Sequence, residues 1–414
     1  MARRHPYSVS VHIAIVTDYY LPTLGGVQTA IKAQREALEA AGHRVSIFAP
    51  LAAEPTDPGI VRLPTAGGFA PDGYPFAWPL RHLRETMRVA FTERSVDVVH
   101  VQTEMFAALA GIRVARDLGL SRVQTMHGRI DVYTRSVLPL PAITVPVLAG
   151  LHRRALGISP APLRDPSAPW AARSRGARLM WQAMVSQANA ADHVIVPSAH
   201  FAGKLKAQGV TSPLTVLSNG LEESVLARIG DPMPRRFATG EPLRVVWCGR
   251  VSPEKRPEVF VDAIARTDGV TADMFGDGVA RRSLARRARG LPEGRLTVHG
   301  GVPQQRVLEA MRDAHVFVST SWDFDNQPMV LLEAIASGLP VVVADPDLAE
   351  ALPEGSYLIA PSPDAAGIAR ALADLAGDSD TIARMSDAAV AGRDIVGHAS
   401  HTGALLAVYE SVRR

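Results

Sequence analysis

Short β-branched runs recur through the first half of the chain: VHIAIVT (11–17), RVSIFAP (44–50), DVVHVQ (97–102) and RVQTMHG (122–128). Between them apolar residues recur at helical spacing, over 28–41 behind a glycine-bearing loop and over 104–117. Continuous apolar strands alternating with helices predict a parallel sheet covered on both faces. HVIVPS (193–198) and LTVLSNG (214–220) extend that sheet, while 137–190, rich in Pro, Arg and Ala, interrupts the alternation.

The pattern restarts after ARIGDPMPRRFATGEP (227–242), whose prolines and charges read as an interdomain linker. LRVVWCGR (243–250), TADMFGDG (271–278), LTVHGGV (296–302), HVFVSTS (315–321) and PVVVAD (340–345) supply a second set of strands, with helices over 255–266 and 329–337. The expected fold is α/β: two doubly wound Rossmann-like domains, 1–227 and 243–398, joined by a linker at 228–242 and followed by a helix at 399–414. Sheets of this kind bind ligands at the carboxyl ends of their strands, so two of them are expected to face a central cleft.

Composition narrows the class only slightly. The 414 residues, 47% hydrophobic and 21% charged, suit a globular chain of two domains. A net charge of +3 and a pI near 9.2 are too mild to indicate nucleic acid, and no nucleic-acid partner is expected. The one cysteine, Cys248, excludes an internal disulfide framework and a cysteine-rich metal site, and fits a reducing cytoplasm. MARRHPYSVSVHIAIVTD sets basic residues before an apolar run. That run is short, contains His12 and lacks a small-residue cleavage site, so it reads as a first strand. No stretch is long and apolar enough to span a bilayer.

The candidate chemistry sits where strands end. G-x-G-x-x-G and the P-loop pattern are both missing. The paired glycines Gly25 and Gly26 in PTLGGVQTAI instead let backbone amides approach an anion at a helix start. In CGRVSPEKRPEVF, Gly249 ends a strand and Arg250 and Lys255 follow it. Two cations there suit a diphosphate, Arg by its planar fork and Lys as a point charge. FGDGV, with Gly276, HGGV (299–302) and the helix opening at Met329 lie at the same pole and favour a nucleotide diphosphate.

Together, TDYYLPTLGGVQT, DVVHVQ…TMHG, SNGLEE, GRVSPEKR, FGDG and DNQPMVLLEAIASGLPVV resemble the motifs of retaining family-4 glycosyltransferases of GT-B fold, over essentially the whole chain. The resemblance implies a sugar nucleotide, UDP- or GDP-linked (GDP-mannose among them), as co-substrate and no other cofactor. Arg250 and Lys255 would hold the diphosphate, helped by the amides of Val330 and Leu331, and Glu333 would bind the ribose. Asp325 stands where the family usually has a glutamate that touches the transferred sugar, with Asn326 and Gln327 beside it. His127 matches the family histidine near that sugar, and Gly25 and Gly26 would face the phosphates. The implied chemistry is front-face attack with retention, without metal, although WDFDNQ (322–327) contains a D-x-D.

Acceptor choice is expected from 129–186, with Asp131, Tyr133 and Arg135 near the acceptor. The arginines of LHRRALG and WAARSRGARLMWQAM, interleaved with Trp170 and Trp181, suit either an anionic membrane surface or a solvated helix face. RRSLARRARG (281–290) reads as a solvated basic helix. The stretch 98–135 is similar to glycosyltransferases acting on diacylglycerol or phosphatidylinositol. That implies a lipid or glycolipid acceptor and peripheral contact with the inner face of the plasma membrane. A small soluble acceptor, such as a cyclitol, aminocyclitol or natural product, stays open, as does a non-catalytic sugar-nucleotide-binding protein. The sequence assigns no oligomeric state.

Overall fold

A computed structural model describes residues 10–20, 26–68, 70, 75–138, 140–238, 240–397 and 399–413. The chain divides into two compact units: Met1–Ser218 with His398–Arg414, and Asn219–Gly397.

The first unit is built on a seven-stranded parallel sheet: β1 (His12–Val16), β2 (Arg44–Pro50), β3 (Ile60–Leu63), β4 (Val98–Val101), β5 (Ser121–Thr125), β6 (His193–Val196) and β7 (Leu214–Val216), in the order β3-β2-β1-β4-β5-β6-β7. Every residue of β1 and of β4 is buried, as a strand covered on both faces requires. The strand order reverses between β1 and β4, the position where open α/β sheets form ligand crevices. The helix Phe106–Asp117 comes close to that point. At Gly111 an added Cβ would lie 3.2 Å from Val16 and 3.3 Å from Val101, so glycine lets the helix approach the sheet.

The terminal helix Ala399–Val412 belongs to this unit. Leu405, Leu406 and Tyr409 pack among Ile13, Ile31 and Val98, and the Ser121 hydroxyl donates to the Val412 carbonyl at 2.6 Å. The irregular stretch after β5 resolves into the helices Ile130–Val137, Pro141–Leu156, Pro169–Ala172 and Arg175–Asn189. Ser174 caps the last of these by accepting from the Ala177 amide at 3.0 Å.

The second unit carries a six-stranded parallel sheet: β8 (Leu243–Cys248), β9 (Val270–Phe275), β10 (Leu296–Gly300), β11 (Val316–Ser319), β12 (Val341–Val343) and β13 (Tyr357–Ile359), in the order β10-β9-β8-β11-β12-β13. Its reversal lies between β8 and β11.

Two expectations need correction. The stretch 228–242 is not a linker: the units divide at Ser218/Asn219 and Gly397/His398, and this segment is packed into the second unit. Phe237 lies in its core, and the buried Arg235 guanidinium donates to the carbonyls of Met233, Met311 and Ser337 at 2.6, 3.0 and 3.1 Å. Neutral acceptors do not repay full desolvation, and burial pulls Arg235 down to about 10. The edge strands β3 and β13 were also not anticipated, because their half-exposed residues form no continuous apolar run.

Candidate functional site

In the second unit the sequence-predicted residues gather at the carboxyl ends of β8, β9 and β11. Gly276 has φ +132°, and an added Cβ would lie 1.8 Å from the Gly249 carbonyl oxygen. Only glycine fits where these two turns cross. Arg250 Nη2 pairs with Glu254 Oε1 at 3.0 Å, and the Ser252 hydroxyl donates to the same oxygen at 2.7 Å. Lys255 ends a single 3-10 turn, Pro253–Lys255. Its carbonyl accepts from the Thr320 hydroxyl at 2.8 Å, which in turn accepts from Trp247 Nε1 at 3.0 Å. That chain ties the turn to the end of β11.

Lys255 Nζ donates to both carboxylate oxygens of Asp325, at 2.6 and 2.7 Å, and lies 5.6 Å from the centre of the Phe324 ring. Of the two D-x-D residues, Asp325 is engaged by the lysine, and the Asp323 backbone amide, at φ +45°, donates to Asp345 Oδ2 at 2.6 Å. Among the described residues no group of three or more His, Cys, Asp or Glu is placed to hold a metal.

The helix Met329–Ala336 starts behind Pro328 and carries Glu333 on its buried side. Leu331 was expected to offer its amide to a phosphate; it donates instead to the Pro328 carbonyl at 3.1 Å, which leaves Val330 as the first-turn amide suited to that role. Glu333 Oε1 accepts from Gln304 Nε2 at 2.6 Å, and burial pushes its carboxyl up to about 7. Burial, with Glu333 adding to it, pushes the Cys248 thiol up to about 12. Asn326 and Gln327 are buried, and Gln327 Oε1 accepts from the Asn219 amide at 2.6 Å.

In the first unit His127 follows β5, and its Nε2 lies 2.7 Å from Gln102 Oε1. The Gln102 amide group donates to Gln34 Oε1 at 2.6 Å, so its carbonyl oxygen is the end that faces the histidine. That acceptor holds the His127 proton on Nε2 and leaves the lone pair on Nδ1. Surrounding protein pulls His127 down to about 4, so the ring is neutral. Gln102 also lies 3.3 Å from His100, whose Nδ1 meets the Tyr409 hydroxyl at 2.8 Å and whose Nε2 meets Thr125 Oγ1 at 2.6 Å.

At the β1/β4 reversal the buried Asp18 accepts from Thr103 Oγ1 at 2.6 Å and from the amide of Ala107 at 2.7 Å, capping the helix Phe106–Asp117. Beside it Glu104 is buried with Oε1 unpartnered, and is pushed up to about 8 by burial. Gln34, Asp18, Gln102, Glu104 and Gln304 were not singled out in the sequence. Polar residues directly after apolar strands, as in VVHVQTE, were the available signal.

Among the expected acceptor residues, Asp131 is buried and held bidentately by Arg129 at 2.8 and 2.8 Å. Tyr133 is half-buried and hydrogen-bonded with Tyr19, and Arg135 is exposed. Gly26 is exposed at the start of the helix Gly26–Ala40; Gly25 lies outside the described residues. The tryptophans face inward: Trp181 is fully buried under the Arg129 guanidinium, and half-buried Trp170 packs against the same core. His43, His193 and His299 bond to the Val11 amide, Thr215 and Asp273, at 3.3, 2.8 and 2.6 Å.

Two parallel-sheet units of this kind are the two domains of the GT-B fold. The chain belongs to glycosyltransferase family 4: residues 24–225 match the Glycosyltransferase Family 4 model, and 242–378 match Glycosyl transferases group 1. It is 25% identical over 356 residues to the alpha-monoglucosyldiacylglycerol synthase of Streptococcus pneumoniae, covering 80% of this chain and 70% of that one. It is 26% identical over 343 residues to a GDP-mannose-dependent alpha-mannosyltransferase of Mycobacterium tuberculosis, covering 81% and 79%. Among solved structures, sucrose-phosphate synthase from Thermosynechococcus elongatus superposes with a TM-score of 0.68 at 18% identity, covering 97% of this chain and 98% of that one. HepE of Anabaena in complex with UDP superposes with 0.67 at 15%, covering 97% and 100%.

Proposed function

We propose that this protein is a retaining glycosyltransferase that moves a hexosyl unit from a UDP- or GDP-sugar to a hydroxyl of a membrane lipid or glycolipid, without metal. The observation that carries the reading is the pair of cations, Arg250 and Lys255, following β8 at the sheet's reversal, with Lys255 aligned by Asp325. A diphosphate leaving group needs that charge at its oxygens as the glycosidic bond breaks. Glu333 on the helix Met329–Ala336 supplies an acceptor for the ribose diol, and the Val330 amide a donor for a phosphate oxygen.

In this reading the acceptor oxygen attacks the anomeric carbon on the face from which the phosphate leaves. A phosphate oxygen takes the acceptor's proton, so configuration is retained and no protein carboxylate acts as nucleophile or base. Neutral His127, with its lone pair on Nδ1, accepts a hydrogen bond from a sugar hydroxyl. A Lys255 ammonium that both orients against Asp325 and faces the diphosphate supports metal independence. The lipid acceptor, and with it contact with a membrane surface, is supported by relatives named for diacylglycerol and phosphatidylinositol glycolipids.

The test has two stages. Melting temperature is followed with UDP, GDP, ADP and dTDP, each with and without magnesium, because a ligand binding only the native state raises it. The stabilising nucleotide's sugars are then supplied with diacylglycerol or phosphatidylinositol in mixed micelles, and the product's anomeric configuration is read by NMR. A shift with one nucleotide without magnesium, and an α-linked product, are expected. No shift and no donor hydrolysis would remove the reading.

A further inference from the structure

We propose that the amino-terminal half of the helix Pro141–Leu156 is the face by which this protein docks on an anionic lipid bilayer. The inference deepens the lipid-acceptor reading and rests on it. From 136 to 152 the chain carries no Asp, Glu, Lys or Arg. The inner side of the helix is accounted for, since Val145, His152, Ala155 and Leu156 are buried. The outer side is not: Leu140, Ile143 and Val147 are 72%, 64% and 59% exposed. Their spacing places them on one face, and a contiguous exposed apolar face marks an interaction surface. Leu140 is held at φ 47°, ψ 59°, a conformation that non-glycine residues rarely adopt, and the turn it makes presents the leucine to solvent.

Charge decides the occupant. The stretch 135–181 carries seven arginines and one acid, Asp165. Arg135 closes the preceding helix, and Arg175 and Arg178 open the helix Arg175–Asn189; all three are exposed. That helix packs alongside Pro141–Leu156 on its buried side, since a Cβ added at Gly176 would lie 3.2 Å from the Val145 side chain, and its exposed first-turn arginines flank the apolar face. Apolar side chains rimmed by arginines match acyl chains beneath anionic headgroups, where the arginine stems lie on the apolar surface and the guanidinium groups stay at phosphate level. A second copy of this chain would bring a like-charged rim against this one. The inward-facing Trp170 and Trp181 take no part.

The full-length protein is sedimented with phosphatidylcholine vesicles and with phosphatidylcholine–phosphatidylglycerol vesicles at low and high salt. Binding to the anionic vesicles, weakened by salt, is expected. A triple variant, Leu140→Ser, Ile143→Ser and Val147→Ser, is expected to bind at least about tenfold more weakly with an unchanged melting temperature, since all three positions are exposed. Arg175→Glu with Arg178→Glu should remove the preference for anionic vesicles. An environment-sensitive fluorophore on Ile143→Cys should shift to the blue on binding; the native Cys248, held as a thiol, labels slowly. Vesicle binding by the triple variant equal to the parent, an unshifted fluorophore on bound vesicles, or a dimer lost in the triple variant would each overturn the proposal. Donor hydrolysis, measured in parallel without lipid, reports the transferase reading separately, and the triple variant should retain it.

Discussion

Lys255 and Asp325 stand 70 residues apart in the chain and meet through two hydrogen bonds, at 2.6 and 2.7 Å. Their side chains are only 19% and 12% exposed, so neither is well hydrated without the other. Each single alanine variant strands a charge and should cost about 1–3 kcal/mol of stability. The double variant should cost clearly less than the sum, a coupling of about 1–2 kcal/mol by denaturant unfolding. Additive costs would mean the pair contributes nothing as a pair. Turnover should separate the partners. Lys255→Ala is expected to lower kcat by about 10²–10³-fold, as for loss of a group that stabilises a leaving anion. Asp325→Asn keeps the cation and should lose less. Arg250→Ala should fall with Lys255→Ala, and near-parental kcat in both would remove these cations from the mechanism.

Glu333 makes donor affinity depend on pH. Burial pushes its carboxyl up to about 7, while Gln304 donates to it. The ionised form is the better acceptor for a ribose diol. UDP or GDP affinity should therefore rise between about pH 6 and about pH 8 and then level off, by up to about tenfold per pH unit. Glu333→Gln should bind more weakly at high pH and show no such rise. Isothermal titration across that range checks both. A flat profile for the parent would mean that Glu333 does not hold the ribose.

What the sequence made legible follows from burial. Strands such as β1 and β4, covered on both faces, appear as unbroken apolar runs whose carboxyl ends mark where ligand-facing turns follow, whereas the strand order that sets the reversals depends on the tertiary fold. β3 and β13 sit at sheet edges with one side open, so their composition does not distinguish them from loop. The stretch 228–242 has the composition of a linker because Arg235 is satisfied by carbonyls, whose positions depend on the tertiary fold. Single motifs located Lys255, Asp325, His127 and Glu333. Their partnerships with one another and with Gln102 and Gln304 join elements 25 to 70 residues apart, and no local pattern encodes them. Asp131 is the contrary case: Arg129, its buried partner, stands two residues away, and the pairing was there to be read in RID.

Gly276 tests the crossing of the β8 and β9 turns. Any Cβ there would lie 1.8 Å from the Gly249 carbonyl oxygen, at a φ of +132° that other residues rarely adopt. Backbone cannot yield as a side chain can, so Gly276→Ala must displace the turn that carries Gly249 and Arg250. The expected cost is about 2–4 kcal/mol, with donor-nucleotide stabilisation lost even where the variant stays folded. Gly203→Ala is the control, because it lies within the helix Ala199–Gln208 and nothing lies within 4 Å of a Cβ there; it should leave nucleotide binding unchanged and raise stability by about 0.5–1 kcal/mol. Parental nucleotide binding by Gly276→Ala would show that the turn geometry is not needed for the donor.

Buried titrating groups fix the pH of greatest stability. Burial pulls His100 down to about 3 and His127, His152 and His315 to about 4, from an ordinary 6.5. Below pH 6.5 the unfolded chain binds protons on these rings that the native protein refuses, so stability falls as pH falls. Glu104 and Glu333 act in the opposite sense. They are pushed from 4.5 up to about 8 and about 7, so the native state keeps protons that the unfolded chain has released, and stability falls as pH rises through that range. Each proton is worth about 1.4 kcal/mol per pH unit. Between pH 4.5 and 6.5 the four histidines outweigh the two carboxyls. Asp18, raised by burial, joins the carboxyls, while the lowered His12, His43 and His193 join the histidines, so the balance holds. Above 6.5 only the carboxyls still titrate. Denaturant midpoints should thus peak near pH 6.5 and decline toward pH 8. Glu104→Gln, which mimics the protonated form beside Asp18, should exceed the parent in stability near pH 8, with the gap closing toward pH 4.5. A midpoint that climbs steadily to pH 8, or a gap that does not change with pH, would show that these carboxyls are ionised in the native protein.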